Sequence, residues 1–310
     1  MFQLSVELYD TKDKKVVWSD RWQEKWDNLP SIKGSLSDGL LKALDTKPKV
    51  EQKIDTTNPE AYEFYLKAKH KYEKRENMED TEIARGLLNK AIELDDNLIL
   101  AKLLLGTTYR EVGDYDEAME IHTSALQQAE ELVDKRGMGY TLYKIGNVHA
   151  NKGDYDKALD YHKRSLAIRE EIGDKRGMGY SLNNIGLVYH NKGDYDKATE
   201  YLEKSLNIQK EIGMKGYKLF TITYLYLCYR HLSKNYDEQN IHSLIKDTKN
   251  IKFQLNFRLY ELLEDKSYLE TAYSQVKEKA SAMEEELGKK FLSYPIPKAI
   301  VEEWKKVVKD

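Results

Sequence analysis

The spacing of apolar positions changes once along this chain. Phe2, Leu4, Val6 and Leu8 alternate with Gln3, Ser5, Glu7 and Tyr9, the two-residue period of a half-buried strand. After polar residues 10–15, Val16, Trp18 and Trp22 read as a second strand, which predicts a β-hairpin. Residues 31–44 place Ile32, Leu36, Leu40, Leu41 and Leu44 at helical spacing, and that helix could cover one face of the hairpin. Two strands are marginal alone, so residues 1–45 read as a remnant of an α/β domain. Residues 46–58 are polar with Pro48 and read as a linker.

From Pro59 onward the period is helical. Residues 59–74 and 80–94 are predicted helices of a first repeat, with Asn77, Met78 and Glu79 as a small insertion between them. Then the chain repeats itself. Gly113-Asp114-Tyr115-Asp116-Glu117-Ala118 returns as Gly153-Asp154-Tyr155-Asp156-Lys157-Ala158 and as Gly193-Asp194-Tyr195-Asp196-Lys197-Ala198, 40 residues apart. Between the copies, Asp134-Lys135-Arg136-Gly137-Met138-Gly139-Tyr140 recurs unchanged as Asp174-Lys175-Arg176-Gly177-Met178-Gly179-Tyr180.

Within one copy, residues 139–152 carry Leu142, Ile145, Gly146 and His149 on one helix face, with Gly137-Met138-Gly139 read as the connecting turn before it. Gly153 suits the left-handed residue that closes a helix, and Asp154 the N-cap of the next. That second helix, 155–171, packs through Ala158, Tyr161, His162, Ser165 and Ile168. A helix pair of this size cannot bury its stripe alone, so neighbours must stack as a solenoid.

The pattern Leu142, Ile145, Gly146, His149, Ala158, His162, Ser165, and its echo Leu182, Ile185, Gly186, Tyr189, Ala198, Leu202, Ser205, resembles the tetratricopeptide repeat. The longer period is similar to the long-helix variety found in kinesin light chain. The resemblance implies a mainly α fold, a right-handed superhelix (α-solenoid) behind a small β-hairpin plus helix. It places about five repeats in residues 59–250 and capping helices in 251–310. Beyond Gly213 the pattern decays, with an apolar helix at 217–231 and further helices predicted at 237–247, 251–264, 266–290 and 297–308. Val17-Trp18-Ser19-Asp20-Arg21-Trp22, the helix ending Leu40-Leu41-Lys42-Ala43-Leu44, and residues 58–68 resemble the TolB-like junction that precedes such repeats in bacterial adenylate cyclase-type signalling proteins. That likeness implies an alternative role as the regulatory C-terminal portion of a class III adenylate or guanylate cyclase or a related multidomain protein.

Composition narrows the function. Charged residues make up 33% and the formal net charge is −3, which gives no electrostatic case for nucleic acid. No apolar run approaches the length needed to span a bilayer. The lone cysteine, Cys228, fits a reducing, cytoplasmic compartment. No catalytic constellation or phosphate-cradling loop is visible, so no enzyme activity and no cofactor are expected. His122 and His162 recur at one repeat position and read as satisfied packing residues, not metal ligands.

The candidate site is the concave surface, lined in the family by the first helix of each repeat. Carrying those positions over gives Arg110 from the second repeat, Tyr140, Tyr143, Lys144, Asn147 and Asn151 from the third, and Tyr180, Asn183, Asn184, Leu187, His190 and Asn191 from the fourth. Arg230 comes from the fifth. Tyrosines offer rigid contact area, and asparagines offer donors and acceptors for the backbone of an extended peptide. The family's carboxylate clamp is not kept, since Tyr143 stands where its first lysine belongs and Phe220 and Tyr224 where later cations belong. The expected partner is a protein or peptide, and the exposed edge of the hairpin could also pair with a second copy to give a homodimer.

Overall fold

The computed structural model describes residues 2–10, 15–24, 58–75, 77–214 and 218–308. The helix expected at 31–44 and all of the linker before Asn58 fall outside them. Residues 1–105 and 106–310 form two compact units.

In the first unit, strands β1 (Phe2–Asp10) and β2 (Lys15–Glu24) pair antiparallel, as the alternation predicts. Leu4 lies opposite Trp22 and Leu8 opposite Trp18, and a bulge follows Leu8. Gln3, Ser5 and Glu7 are exposed, as are their partners Gln23, Arg21 and Ser19, so the polar set shares one open face. Helices α1 (Pro59–Glu73) and α2 (Met78–Leu94) form the first repeat. Asn58 caps α1 with its side chain, and its amide also donates to the Leu94 carbonyl at 2.9 Å, which ties the start of the repeat to its end. Asn77 caps α2 by accepting from the Asp80 amide at 2.9 Å. The expected insertion is therefore the cap and first turn of α2.

Helix α3 (Ile99–Val112) carries the chain into the second unit. There α4 (Tyr115–Glu131), α5 (Lys135–Lys152), α6 (Tyr155–Glu171), α7 (Lys175–Asn191), α8 (Tyr195–Glu211) and α9 (Lys218–His231) continue the array. Gly113, Gly153 and Gly193 close their helices at φ 99°, 88° and 80°, a conformation that only glycine adopts without strain. Asp114 and Asp194 then cap the following helices through their side chains, whereas the Asp154 carboxylate turns to His149 at 3.2 Å.

Helices α5 and α7 begin a turn earlier than predicted, at Lys135 and Lys175, so Gly137-Met138-Gly139 is helix, not turn. Close packing is the reason for glycine there. A Cβ on Gly177 would lie 2.6 Å from Arg169 Cδ. The Gly139 and Gly179 carbonyls accept from the Ser165 and Ser205 hydroxyls, each at 2.8 Å, once per repeat. Surface pairs recur too, Lys152 with Asp116 and Lys192 with Asp156, although exposed pairs contribute little stability.

One place breaks the repeat chemistry. Gly173 and Gly213 end α6 and α8 in the left-handed region, but the equivalent residue after α4 is Val133, at φ 53° and 74% exposed. That geometry costs an L-residue roughly 1–2 kcal/mol, and a β-branched one most of all. Val133→Gly should therefore raise the urea midpoint by an amount equivalent to about 1 kcal/mol. An unchanged midpoint would show that no strain is held there.

The C-terminal part comprises α10 (Glu238–Lys246), α11 (Phe253–Leu263), α12 (Lys266–Ser281), α13 (Glu285–Ser293) and α14 (Pro295–Val307). The single helix expected over 266–290 is two, broken at residues 282–284. Gly288 makes the corner possible, since a Cβ there would sit 2.8 Å from the Ala280 carbonyl oxygen. These helices fold back along the array. Phe253, Phe257, Leu269, Ala272, Val276, Phe291, Tyr294 and Ile300 share one core with Tyr115, Ala118 and Val148 of the second and third repeats.

Candidate functional site

The inner positions do not all behave alike. Tyr140 is 39% exposed, and Tyr143 and Tyr180 are partly buried with ring centroids 6.3 Å apart. Behind them lies Arg169, a residue that the repeat pattern did not single out. It is 1% exposed, with its guanidinium carbon 5.2 Å and 4.9 Å from the Tyr140 and Tyr143 centroids. One nitrogen donates to the Gly177 carbonyl at 2.6 Å and to Ser181 Oγ at 3.2 Å. Burial pushes its pKa below the usual arginine range. Gln209, one period on, plays the same part by donating to Thr221 Oγ1 at 3.0 Å.

The asparagines meet one another. Asn184 donates to Asn147, Asn183 donates to Asn184 at 3.4 Å, and Thr221 donates to Asn183 at 2.8 Å. Asn183 is 0% exposed, so its amide serves the stacking of repeats and does not line an open groove. Asn147, Asn151 and Asn184 stay partly exposed. Leu187 is half-buried against the core that Leu202 and Leu225 build.

His122 and His162 are buried as expected but are not satisfied. Their rings lie flat against Gly106 and Gly146, and no ring nitrogen of either has a hydrogen-bond partner. Burial, the largest cause, lowers both to about 3. His190, expected on the surface, is also buried, edge-on to Tyr195 at 5.6 Å and to Tyr224 at 5.1 Å. Burial lowers it to about 3, with Arg258 adding to the effect.

Beside His190 opens a cavity of about 810 Å³ between the repeat turns and the returning C-terminal helices, within the size range of small-molecule and peptide side-chain pockets. Tyr155, Tyr195, Asn191 and Arg230 line it from the repeats, and Phe257, Arg258 and Tyr260 from α11. Asn191 accepts from Arg258 at 3.0 Å, and Arg258 also pairs with Glu261 at 2.6 Å. Arg230 donates to the Glu261 carbonyl at 2.7 Å and forms an ion pair with Glu264. Thus His190, Asn191 and Arg230 come together, and the aromatic wall around them was missed. The signal for Tyr155 and Tyr195 was present in the repeated Gly-Asp-Tyr-Asp turn. None existed for α11, which lies beyond the repeats.

Arg110 and Lys144 stand apart from this cavity, both partly buried on the inner helices. Arg110 Nη2 lies 3.6 Å from Glu111, and its Nε is buried with no partner. The Lys144 ammonium is lowered to about 8, mainly by burial and then by Arg110. Among the described residues no group of three or more His, Cys, Asp or Glu could hold a metal ion, and no helix is long and apolar enough to cross a membrane.

Residues 97–171 and 137–211 each match the tetratricopeptide repeat family. A comparison with curated protein sequences gave no match. Among solved structures, the chain is similar to the apo form of RapI, at 15% identity over 91% of this chain and 94% of that one, with a TM-score of 0.52. It is also similar to aspartyl phosphate phosphatase F from Bacillus subtilis, at 20% identity over 89% and 66% with a TM-score of 0.53. A Rap protein complexed with Competence and Sporulation Factor aligns at 14% identity over 89% and 81%, also with a TM-score of 0.53. At such identities the likeness concerns the fold alone, and none of these comparisons supports the cyclase-type junction. Residues 97–211 are tetratricopeptide repeats, set in a mainly helical solenoid.

Proposed function

We propose that this chain is a non-catalytic interaction scaffold whose inner helices and adjoining cavity hold a protein segment or short peptide. The observation that carries the reading is the 810 Å³ cavity, where rigid aromatic side chains meet polar groups held in place by neighbours. Tyr155, Tyr195, Phe257 and Tyr260 supply contact area at low entropic cost, and Asn191 and Arg230 supply orientation. A Rap protein of similar fold has been solved with a bound factor, which supports the same use of the solenoid here. Placement in a bacterial cytoplasm as part of a signalling system belongs to this proposal, as does pairing of two copies through the hairpin. No observation in the described residues favours a cyclase partner domain over other arrangements.

Panning a random short-peptide display library against the intact protein tests the reading. Enriched peptides should bind the wild type in fluorescence polarisation. Tyr195→Ala and Tyr260→Ala, each checked for folding by circular dichroism, should weaken them by about 2 kcal/mol, roughly thirtyfold in Kd. Enriched peptides that bind both variants as well as the wild type would move the site elsewhere, and a library that yields no binder would remove a peptide-holding groove.

A further inference from the structure

A second feature of the inner surface lies away from the cavity, where α12 crosses the second and third repeats. Ala272 and Val276 of α12 share a core with Val148 of α5 and Phe291 of α13, and this fixes the last turn of α12 against the array. Lys279 sits in that turn, its ammonium 5.5 Å from the Phe253 ring centroid and 4.8 Å from that of Phe291. From there it lies within electrostatic range of Arg110, Glu111 and Lys252. Lys144 reaches the same place from α5, within range of Arg110, Glu111 and Arg169.

The charges do not balance. Glu111 is the carboxylate of this cluster, and it is already shared, 3.6 Å from Arg110 and 3.3 Å from Lys252. Neither Lys144 nor Lys279 has an ion pair among the described residues. Arg110 keeps a buried, unpartnered Nε. His122, which also feels Lys144 and Arg110, is held neutral by burial and offers no compensation. Like charges gathered in a partly desolvated place repel strongly, and both lysines show it, lowered to about 8 by burial first and Arg110 second. An anion arriving there would relieve that repulsion and satisfy Arg110 together.

We infer that Arg110, Lys144 and Lys279 form an anion site on the inner surface that seats a carboxylate side chain of the bound segment, so that the scaffold selects acidic partners. The inference rests on the groove reading above and narrows its ligand. A carboxylate fits the scale of the place, since the resident Glu111 carboxylate already spans two of its cations at hydrogen-bond to ion-pair distance. The net negative charge of the whole chain makes such a site a local reversal of sign, which favours specificity over general attraction.

The probe is acetyl-triglutamate amide, compared with its triglutamine counterpart and with inorganic phosphate, by calorimetry on the full chain. The comparison variant carries Lys144→Gln and Lys279→Gln. It should fold with a thermal midpoint at or above that of the wild type, because the repulsion is gone. Wild type should prefer triglutamate to triglutamine by about tenfold or more, as for a charge-assisted bond, and the preference should vanish in the variant. Equal affinity for the two peptides, or a preference that survives in the variant, overturns the site. Binding of phosphate but not of triglutamate overturns it as a carboxylate site. A peptide library that enriches neutral binders, with no triglutamate preference, removes the acid selectivity and leaves the groove reading intact. A barren library with the triglutamate preference retained does the reverse.

Discussion

Wild-type protein should lose stability steeply as pH falls from about 6.5 toward 4.5, and a His122→Leu, His162→Leu variant should lose far less. Both histidines are 0% exposed, have no partner for any ring nitrogen, and have folded-state values of about 3. The unfolded chain protonates them near the ordinary value of 6.5. Below that pH the unfolded state binds protons that the folded state refuses, so stability rises with pH and is lost as pH drops through this window. At pH 5 the linkage is worth about 2 kcal/mol for each histidine. The carboxylates with lowered values, such as Asp116 and Asp194, change the balance in the same direction but only below about pH 4, so they leave this window to the histidines.

The chain itself shows that leucine fits. Gly186 faces Leu202 where Gly106 and Gly146 face His122 and His162, and leucine strands no polar atom. Urea midpoints at pH 7.5, 6 and 5 read the effect. Equal slopes for wild type and variant would mean that these rings reach water or a partner after all.

What the chain spelled out twice was legible, and what it built once was not. Helix ends at Gly113, Gly153 and Gly193 and the second helix of each repeat follow from local chemistry that recurs letter for letter, so period and capping place them. The early starts of α5 and α7 were hidden because glycine reads as a breaker, while at Gly177 it answers the approach of Arg169 from another helix. Inner-surface positions carried over from the repeat register were uneven for a reason of size. Tyr143 and Asn183 occupy the same register, yet the small amide sinks to meet Thr221 and the ring cannot. Arg110, His190 and Arg230 share another register. There the imidazole withdraws between Tyr195 and Tyr224, and Arg230 reaches α11 carbonyls. The return of α11–α14 rests on contacts such as Tyr115 with Tyr294, ring centroids 4.5 Å apart, between residues too far apart in sequence for any local pattern to announce.

That return should depend on one side chain, so that Phe291→Ala releases the C-terminal helices while the central repeats persist. Phe291 is 0% exposed and joins three elements. It meets Phe253 edge-on at 6.0 Å, lies under Lys279, and packs on the turn after α3, where a Cβ on Gly113 would be 3.0 Å from its ring. Truncating a buried phenylalanine costs about 3–5 kcal/mol, enough to unlatch helices held largely by this core. The ion pair beside it, Lys290 with Asp116, is about half exposed on both sides, so Lys290→Gln should cost under about 1 kcal/mol. The contrast decides whether the fold-back is apolar or electrostatic. Repeats α5–α8 keep their own ties through Ser165, Ser205 and Gln209, and solenoid stability is a sum over neighbours. Hydrogen exchange on Phe291→Ala should therefore show protection lost in α11–α14 and in the Gly113 turn, and retained in α5–α8. Uniform loss across the second unit would show that the C-terminal helices and repeats fold as one cooperative body, and a large effect from Lys290→Gln would make the charges the latch.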